Sequence, residues 1–129
     1  MEEYLRSLLL GNASVSALAG DRVNWGAHPQ GAGYPAAVLT LISETGDHTL
    51  DGPSGVSVAR VQVDCLGTGY GNAKRLAHAI RSVLDGYRGG PLKAVFFAGA
   101  RDGREGGTND ADRPFRTSLD VLVHYTITT

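Results

Sequence analysis

A run of residues from Leu50 to Cys65 constrains the fold of this chain more than any other. It begins Leu50-Asp51-Gly52-Pro53-Ser54-Gly55 and continues Val56-Ser57-Val58-Ala59-Arg60-Val61-Gln62-Val63-Asp64-Cys65. Proline presets one backbone angle and the two glycines admit positive ones, so the first six residues read as a tight reversal of chain direction. After it, Ala59, Val61, Val63 and Cys65 alternate with Arg60, Gln62 and Asp64, the period of a strand with one apolar and one wet face. A turn feeding so long a strand marks a β-arm. A strand to precede it is present at Ala36 to Thr45, whose apolar middle (Val38, Leu39, Leu41, Ile42) is what a central strand covered on both sides requires.

The remaining segments decide what packs on that arm. Ala73, Leu76, Ala77, Ile80, Val83 and Leu84 recur at intervals of three and four, with Lys74, Arg75, His78, Arg81 and Asp85 opposite, which predicts an amphipathic helix ending at Gly86. Glu2 to Leu10 is a shorter helix, with acidic residues in its first turn where the helix dipole favours them, and Gly11-Asn12 stops it. Ser14 to Leu18 adds one more turn, and Arg22 to Trp25 reads as a short strand. Two further strands follow the long helix. Pro91 to Ala98 surrounds Val95-Phe96-Phe97, and Arg113 to Thr129 carries Thr117, Leu119, Val121, Val123, Tyr125 and Ile127 on one face. Gly99 to Asp112 reads as a polar, glycine-rich hairpin loop between them. Strands and helices do not alternate regularly, so the expected class is α+β: a twisted antiparallel sheet packed against the long amphipathic helix, with a short N-terminal helix and long hairpin loops.

Composition narrows the function classes. The chain has 129 residues, 42% of them hydrophobic, enough for one core and one domain over residues 1–129. Twelve Lys and Arg against thirteen Asp and Glu give a net charge of -1, so no basic excess points to nucleic acid or an anionic membrane. Cys65 is the single cysteine, which excludes an internal disulfide framework and fits a reducing compartment. The start, Met1-Glu2-Glu3-Tyr4-Leu5-Arg6, lacks a basic-then-apolar run, and no apolar stretch reaches the roughly 20 residues that span a bilayer. A soluble, cytoplasmically made protein is expected.

No catalytic or cofactor constellation emerges. Gly67-Thr68-Gly69-Tyr70-Gly71 follows a strand and opens a helix, where a phosphate loop would sit, but Asn72 follows it and no lysine with serine or threonine closes it. It reads as a turn with a helix cap. Asp102, Glu105, Asp110 and Asp112, with Asp47 and Asp51, could attract calcium, yet EF-hand spacing is absent and solvated loop carboxylates fit as well. His28, His48, His78 and His124 form no metal-ligand pair. His78 and His124 read as surface residues, and Cys65, in the apolar register of its strand, as a small core residue rather than a nucleophile. The arginines from Arg60 to Arg116 are interspersed with carboxylates and read as a mixed-charge surface. Trp25 and Tyr34 bracket the loop Gly26 to Pro35 and suit either an interface or the core.

Several of these segments, in this order and spacing, resemble the phage tail-completion family, also called tail terminators or tail-to-head joining proteins. The likeness runs through the N-terminal leucine-rich helix, Gly20-Asp21-Arg22-Val23, Pro29-Gln30, Tyr34-Pro35, Ile42-Ser43, the Leu50 to Gly55 turn, the Arg60 to Cys65 strand, the helix ending Leu84-Asp85-Gly86, and the final alternating strand. It implies a structural virion protein without catalysis or cofactor, assembled as a homo-oligomeric ring, a hexamer, on the head-proximal end of a tail tube. The implied partners are further copies of itself, the tail tube protein and the head-tail connector or stopper, with no membrane and no specific nucleic acid. The implied location is the virion tail or neck, with assembly in the host cytoplasm, the source being a phage, a prophage or a gene transfer particle. Interface residues are then expected at the first loop (His48, Asp51, Gly52, Pro53), on the outer face of the third strand (Arg60, Gln62, Asp64) and in the last loop (Arg101, Asp102, Arg104, Glu105, Asp110, Asp112). Long strands able to add to a neighbour's sheet edge suit such a ring. Two other classes stay open: another neck or tube component of the same particle, and a small ligand-binding α+β domain using Gly67 to Gly71.

Overall fold

The computed structural model describes residues 1–29, 31–49, 52–104 and 114–126, with the backbone alone described at 47–49 and 52–54. The element order is α1 (Glu2–Leu10), α2 (Ala13–Ala19), β1 (Val23–Trp25), β2 (Ala36–Thr49), β3 (Gly52–Gly67), α3 (Tyr70–Leu84), β4 (Leu92–Arg104) and β5 (Phe115–Thr126). The strands form one sheet in the order β1-β2-β3-β5-β4. This is the expected α+β class with one difference: the sheet is mixed, because β1 runs parallel to β2 while the other three pairs are antiparallel. A strand of three residues carries too little pattern to reveal its direction. Since β5 is antiparallel to both β3 and β4, those two run parallel, and α3 is the crossover of a split βαβ unit.

Alternation sorts the sheet into two faces. Ala59, Val61, Val63 and Cys65 of β3 are fully buried, as are Leu39 of β2 and Val95 of β4, and Leu119, Val121 and Val123 of β5 are nearly so. The helices cover this face, and α3 contributes Leu76, Ala77, Ile80 and Leu84 to a core shared with Leu5, Leu9 and Val15 of the N-terminal helices. Each helix end has a local cause. The Asn12 carboxamide accepts from the amides of Ser14 and Val15 at 3.0 and 3.1 Å, so the residue read as stopping α1 also caps α2. At Gly67 a side-chain Cβ would lie 2.7 Å from the amide nitrogen of Ala73, so the β3–α3 junction closes only around glycine. Gly90, at φ 52°, lies against the Tyr4 ring, whose hydroxyl meets that of Tyr87 at 2.6 Å and ties α1 to the segment before β4.

Two expectations are corrected. The β2 run is not covered on both sides: Leu41 and Ile42 are 37% and 49% exposed, because β2 lies second from the sheet edge and β1 reaches only as far as Leu39. The two polar stretches read as loops are strand in their described residues, His48–Thr49 with Gly52–Gly55 and Gly99–Arg104. His48 pairs with Pro53 and Thr49 with Gly52, so the chain reverses between Thr49 and Gly52. Gly99 to Arg104 pairs with β5 from Asp120 to Phe115. The length of the partner strand overrides the weak local preference of glycine, arginine and aspartate.

Candidate functional site

At its far end the β2–β3 hairpin has no third strand beside it among the described residues. Among the described residues the last β5 partner of β3 is Thr126, opposite Val56, and beyond it the pairs His48–Pro53 and Thr49–Gly52 involve β2 and β3 alone. Among the described residues Pro53 faces one ladder, that with β2, where a missing amide donor is tolerated. The register shifts between Gly46 and His48, and on the opposing strand Gly55 takes φ 82°. Of the residues expected at this tip, Gly52, Pro53 and His48 lie in the ladder, and Asp51 lies outside the described residues.

On the face away from the helices, residues from three strands form one hydrogen-bonded cluster. Cross-strand register sets Gln62 opposite Asp120 and Asp64 opposite Ser118, with Gly99 and Arg101 of β4 beyond them. The Arg101 guanidinium donates to Asp120 Oδ2 at 2.7 Å and to Gln62 Oε1 at 2.6 Å. Asp64 Oδ1 accepts from Gln62 Nε2 at 2.9 Å and from the Ser118 hydroxyl at 2.6 Å. Three of the expected interface residues, Gln62, Asp64 and Arg101, are therefore bonded to one another within the chain. Arg60, on the same face, is exposed. At the other end of this face Phe96, 50% exposed, meets the His124 ring edge-on at 5.4 Å. Among the described residues no element packs against this face.

The glycine-rich run before α3 borders a third feature. Asp102 accepts from Lys74 Nζ at 2.7 Å, from the Tyr70 hydroxyl at 2.8 Å and from the Thr117 hydroxyl at 3.0 Å. The hydrogen bond from Lys74, then that from Tyr70, holds the Asp102 carboxyl below its ordinary range, and the bond to Asp102 raises the Lys74 ammonium. Beside them a cleft of about 290 Å³ is lined by Tyr70, Phe115, Thr117 and the Arg104 guanidinium, which stacks on the Phe115 ring at 4.2 Å. Gly69 caps α3 without a side-chain bond.

Cys65 is buried, and burial, followed by the charge of Asp64, pushes its thiol well above the ordinary value, which keeps it protonated. His78 is exposed and His124 half-buried. Among the described residues no three of His, Cys, Asp and Glu gather as metal ligands, and no helix is long and apolar enough to cross a membrane. Trp25 packs against the core and donates to the Glu2 carbonyl at 2.9 Å, whereas Tyr34 is 37% exposed beside His28. Glu105, Asp110 and Asp112 lie outside the described residues. Asp120, Ser118, Tyr70 and Thr117 were missed from sequence. The signal for the first two was their alternation with Thr117, Leu119 and Val121, which puts them on the wet face.

Comparison with known proteins gives two findings. The sequence profile of the tail completion protein gp17 family matches residues 3–126. A chain in the structure of the virion of a native gene transfer agent particle superposes with a TM-score of 0.65 at 23% identity, over 95% of this chain and 92% of that one, which marks a shared fold. No curated protein matches.

Proposed function

The chain belongs to the tail completion protein gp17 family, and from that premise we propose that it is a structural protein whose copies form a closed ring on the head-proximal end of a tail tube. The ring, six copies in our reading, ends tube growth and offers a surface to the head connector or stopper. The family match over nearly the whole chain carries this reading. It draws physical support, among the described residues, from the long β2–β3 hairpin and from strand edges that lack partners. We assign this chain to a virion tail or neck, with the host cytoplasm as the place of assembly and no catalytic step.

The decisive experiment removes the gene from the particle that carries it. Filled heads and unattached tails of irregular length are the expected products, and adding the purified protein to them is expected to restore joined particles. Particles without tubes would make the chain a tube subunit, and a normal yield would end the proposal. We assign Arg101 to Asp112 to partner contact, so replacing its residues 105–112 by a short glycine-containing turn is expected to lower particle yield while leaving the melting temperature nearly unchanged.

A further inference from the structure

Among the described residues, the sheet covers the first part of each outer edge and leaves the rest without a neighbour. On β2, β1 covers Ala37 to Leu39, and from Thr40 to Thr49 no strand lies outside it among the described residues. On β4, the segment Asp85–Gly89 covers the first half. The Gly86 amide donates to the Val95 carbonyl at 2.8 Å, and the Val95 amide to the Tyr87 carbonyl at 3.1 Å. Gly89 and Leu92 exchange bonds, and Asp85 Oδ1 accepts from the Phe97 amide at 3.1 Å. From Ala98 to Gly103 no such cover exists among the described residues. Unpaired edges attract strands from other chains, and proteins ordinarily blunt them with lysine, proline or a covering loop. Among the described residues, cover is given to the first part of each edge and withheld from the rest.

The two bare halves are complementary. Beside the β2 half stand Glu2, Glu3 and Glu44 against Arg6, and a groove of about 440 Å³ between α1 and this edge is lined by Trp25 and Leu41. Around the bare half of β4, Lys74, Arg101, Arg104 and Arg116, with Arg81 stacked on the neighbouring Phe97 ring, outnumber Asp102 and Asp120. The large exposed side chains Leu41 and Ile42 lie on the first edge, and the small exposed Ala98 and Ala100 on the second. Direction fits as well. Within one sheet β2 runs antiparallel to β4, because β3 is antiparallel to β2 and parallel to β4. Copies related by rotation about one axis keep that relation, so joining them edge to edge forms an antiparallel pair, the stabler kind.

We propose that the bare half of β2 in one copy pairs with the bare half of β4 in the next, so that the sheet continues from copy to copy, acid edge against basic edge. This rests on the self-assembly proposed above and names the surfaces that perform it. Thr40, Gln62, Asp120 and Gly99 lie in one row across the sheet, and the two bare halves lie on opposite sides of that row. Each added copy is therefore displaced along the strand direction, and a ring closes with strands inclined to its axis, as in any barrel.

Charge exchange tests this. Glu3→Lys with Glu44→Lys makes both edges basic, and Arg81→Glu with Arg101→Glu makes the β4 side acidic. All four residues are exposed, so each variant is expected to stay folded, and its melting temperature is the control. Sizes are read by mass-resolved light scattering and negative-stain imaging, each chain alone and with tail tube ends. The parent is expected to assemble, each variant to fall to smaller species, and an equimolar mixture of the two to reassemble, with even copy numbers favoured. As a second readout, Ile42→Cys combined with Ala100→Cys and a short bis-maleimide is expected to give a ladder of covalent oligomers, while either substitution alone gives none. If the parent assembles but both variants assemble equally well, or the double-cysteine chain gives no ladder, the edge pairing is wrong and the ring reading stands. If the parent stays monomeric even with tube ends, both fall together.

Discussion

The helix-covered and open faces of this sheet share the same strands and are held by different physics. Ala59, Val61, Val63 and Cys65 point toward Leu76, Ala77, Ile80 and Leu84, fully buried or nearly so. One residue along the same strand, Gln62 and Asp64 join Arg101, Ser118 and Asp120 in hydrogen bonds at a half-exposed surface. Apolar burial is non-directional and scales with area, at about 25 cal/mol per Å². Hydrogen bonds are directional, and each contributes only about 1 kcal/mol net because water competes for its groups. A chain built this way can draw its stability from one face and leave the other, with the edges, to meet a partner.

Truncation on the covered face should have the largest effect. Ile80→Ala leaves a cavity beneath the sheet and is expected to cost about 2 to 5 kcal/mol, read as a loss of unfolding free energy in urea. A cost below about 1 kcal/mol would mean that α3 is not packed as described. On the open face Ser118→Ala comes next. Ser118 is fully buried at the root of the cluster, and its loss leaves the half-buried Asp64 carboxylate one donor short, an expected cost of about 1 to 3 kcal/mol. Arg101→Ala should cost less than Ser118→Ala. The Arg101 side chain is 51% exposed, so water replaces its bonds to Asp120 and Gln62, and about 0.2 to 1 kcal/mol is expected. If Arg101→Ala costs as much as Ile80→Ala, the open face is a second core and the contrast fails.

The covered face was legible in the sequence and the edges were not, for one reason. Spacing of three and four in α3, and of two in β3 and β5, reports which side chains share a face, and Ile80, Val61 and Val123 lie where that spacing puts them. Neither period reports which strand neighbours which. The cluster around Asp64 needs β5 between β3 and β4, an order that pairs residues far apart in sequence. Leu41 and Ile42 show the limit from the other side, since apolar residues next to a sheet edge look in hydropathy like apolar residues within a core. Glycine, arginine and aspartate at Gly99–Arg104 suggested a loop, and the reach of β5 drew them into a strand. Asp102 and Lys74 were therefore read as a loop residue and a helix-surface residue, whereas the fold makes them partners.

That partnership gives the smallest effect, a pH dependence with two arms. Asp102 is held below the ordinary carboxylate range, first by the hydrogen bond from Lys74 and then by that from Tyr70. Its contribution to stability is present above that ordinary range and is lost as pH falls through its lowered value in the fold. Lys74 is raised, chiefly by its bond to Asp102, so its contribution is complete below the ordinary lysine value and is lost as pH rises through the raised one. Between the two arms the pair contributes a plateau across neutral pH. Asp102→Asn keeps an acceptor for Tyr70 and Thr117 but removes the charge, and both arms should vanish together. The measurement is melting temperature against pH at low salt, parent minus variant. A difference that is small, flat around neutrality, smaller at both extremes and reduced by added salt is expected, because both groups lie at the surface, where ions screen them. A difference constant over the whole range would show that Asp102 and Lys74 do not stabilise each other as charges, leaving the Tyr70 and Thr117 hydroxyls to hold this end of β4 against α3 and β5.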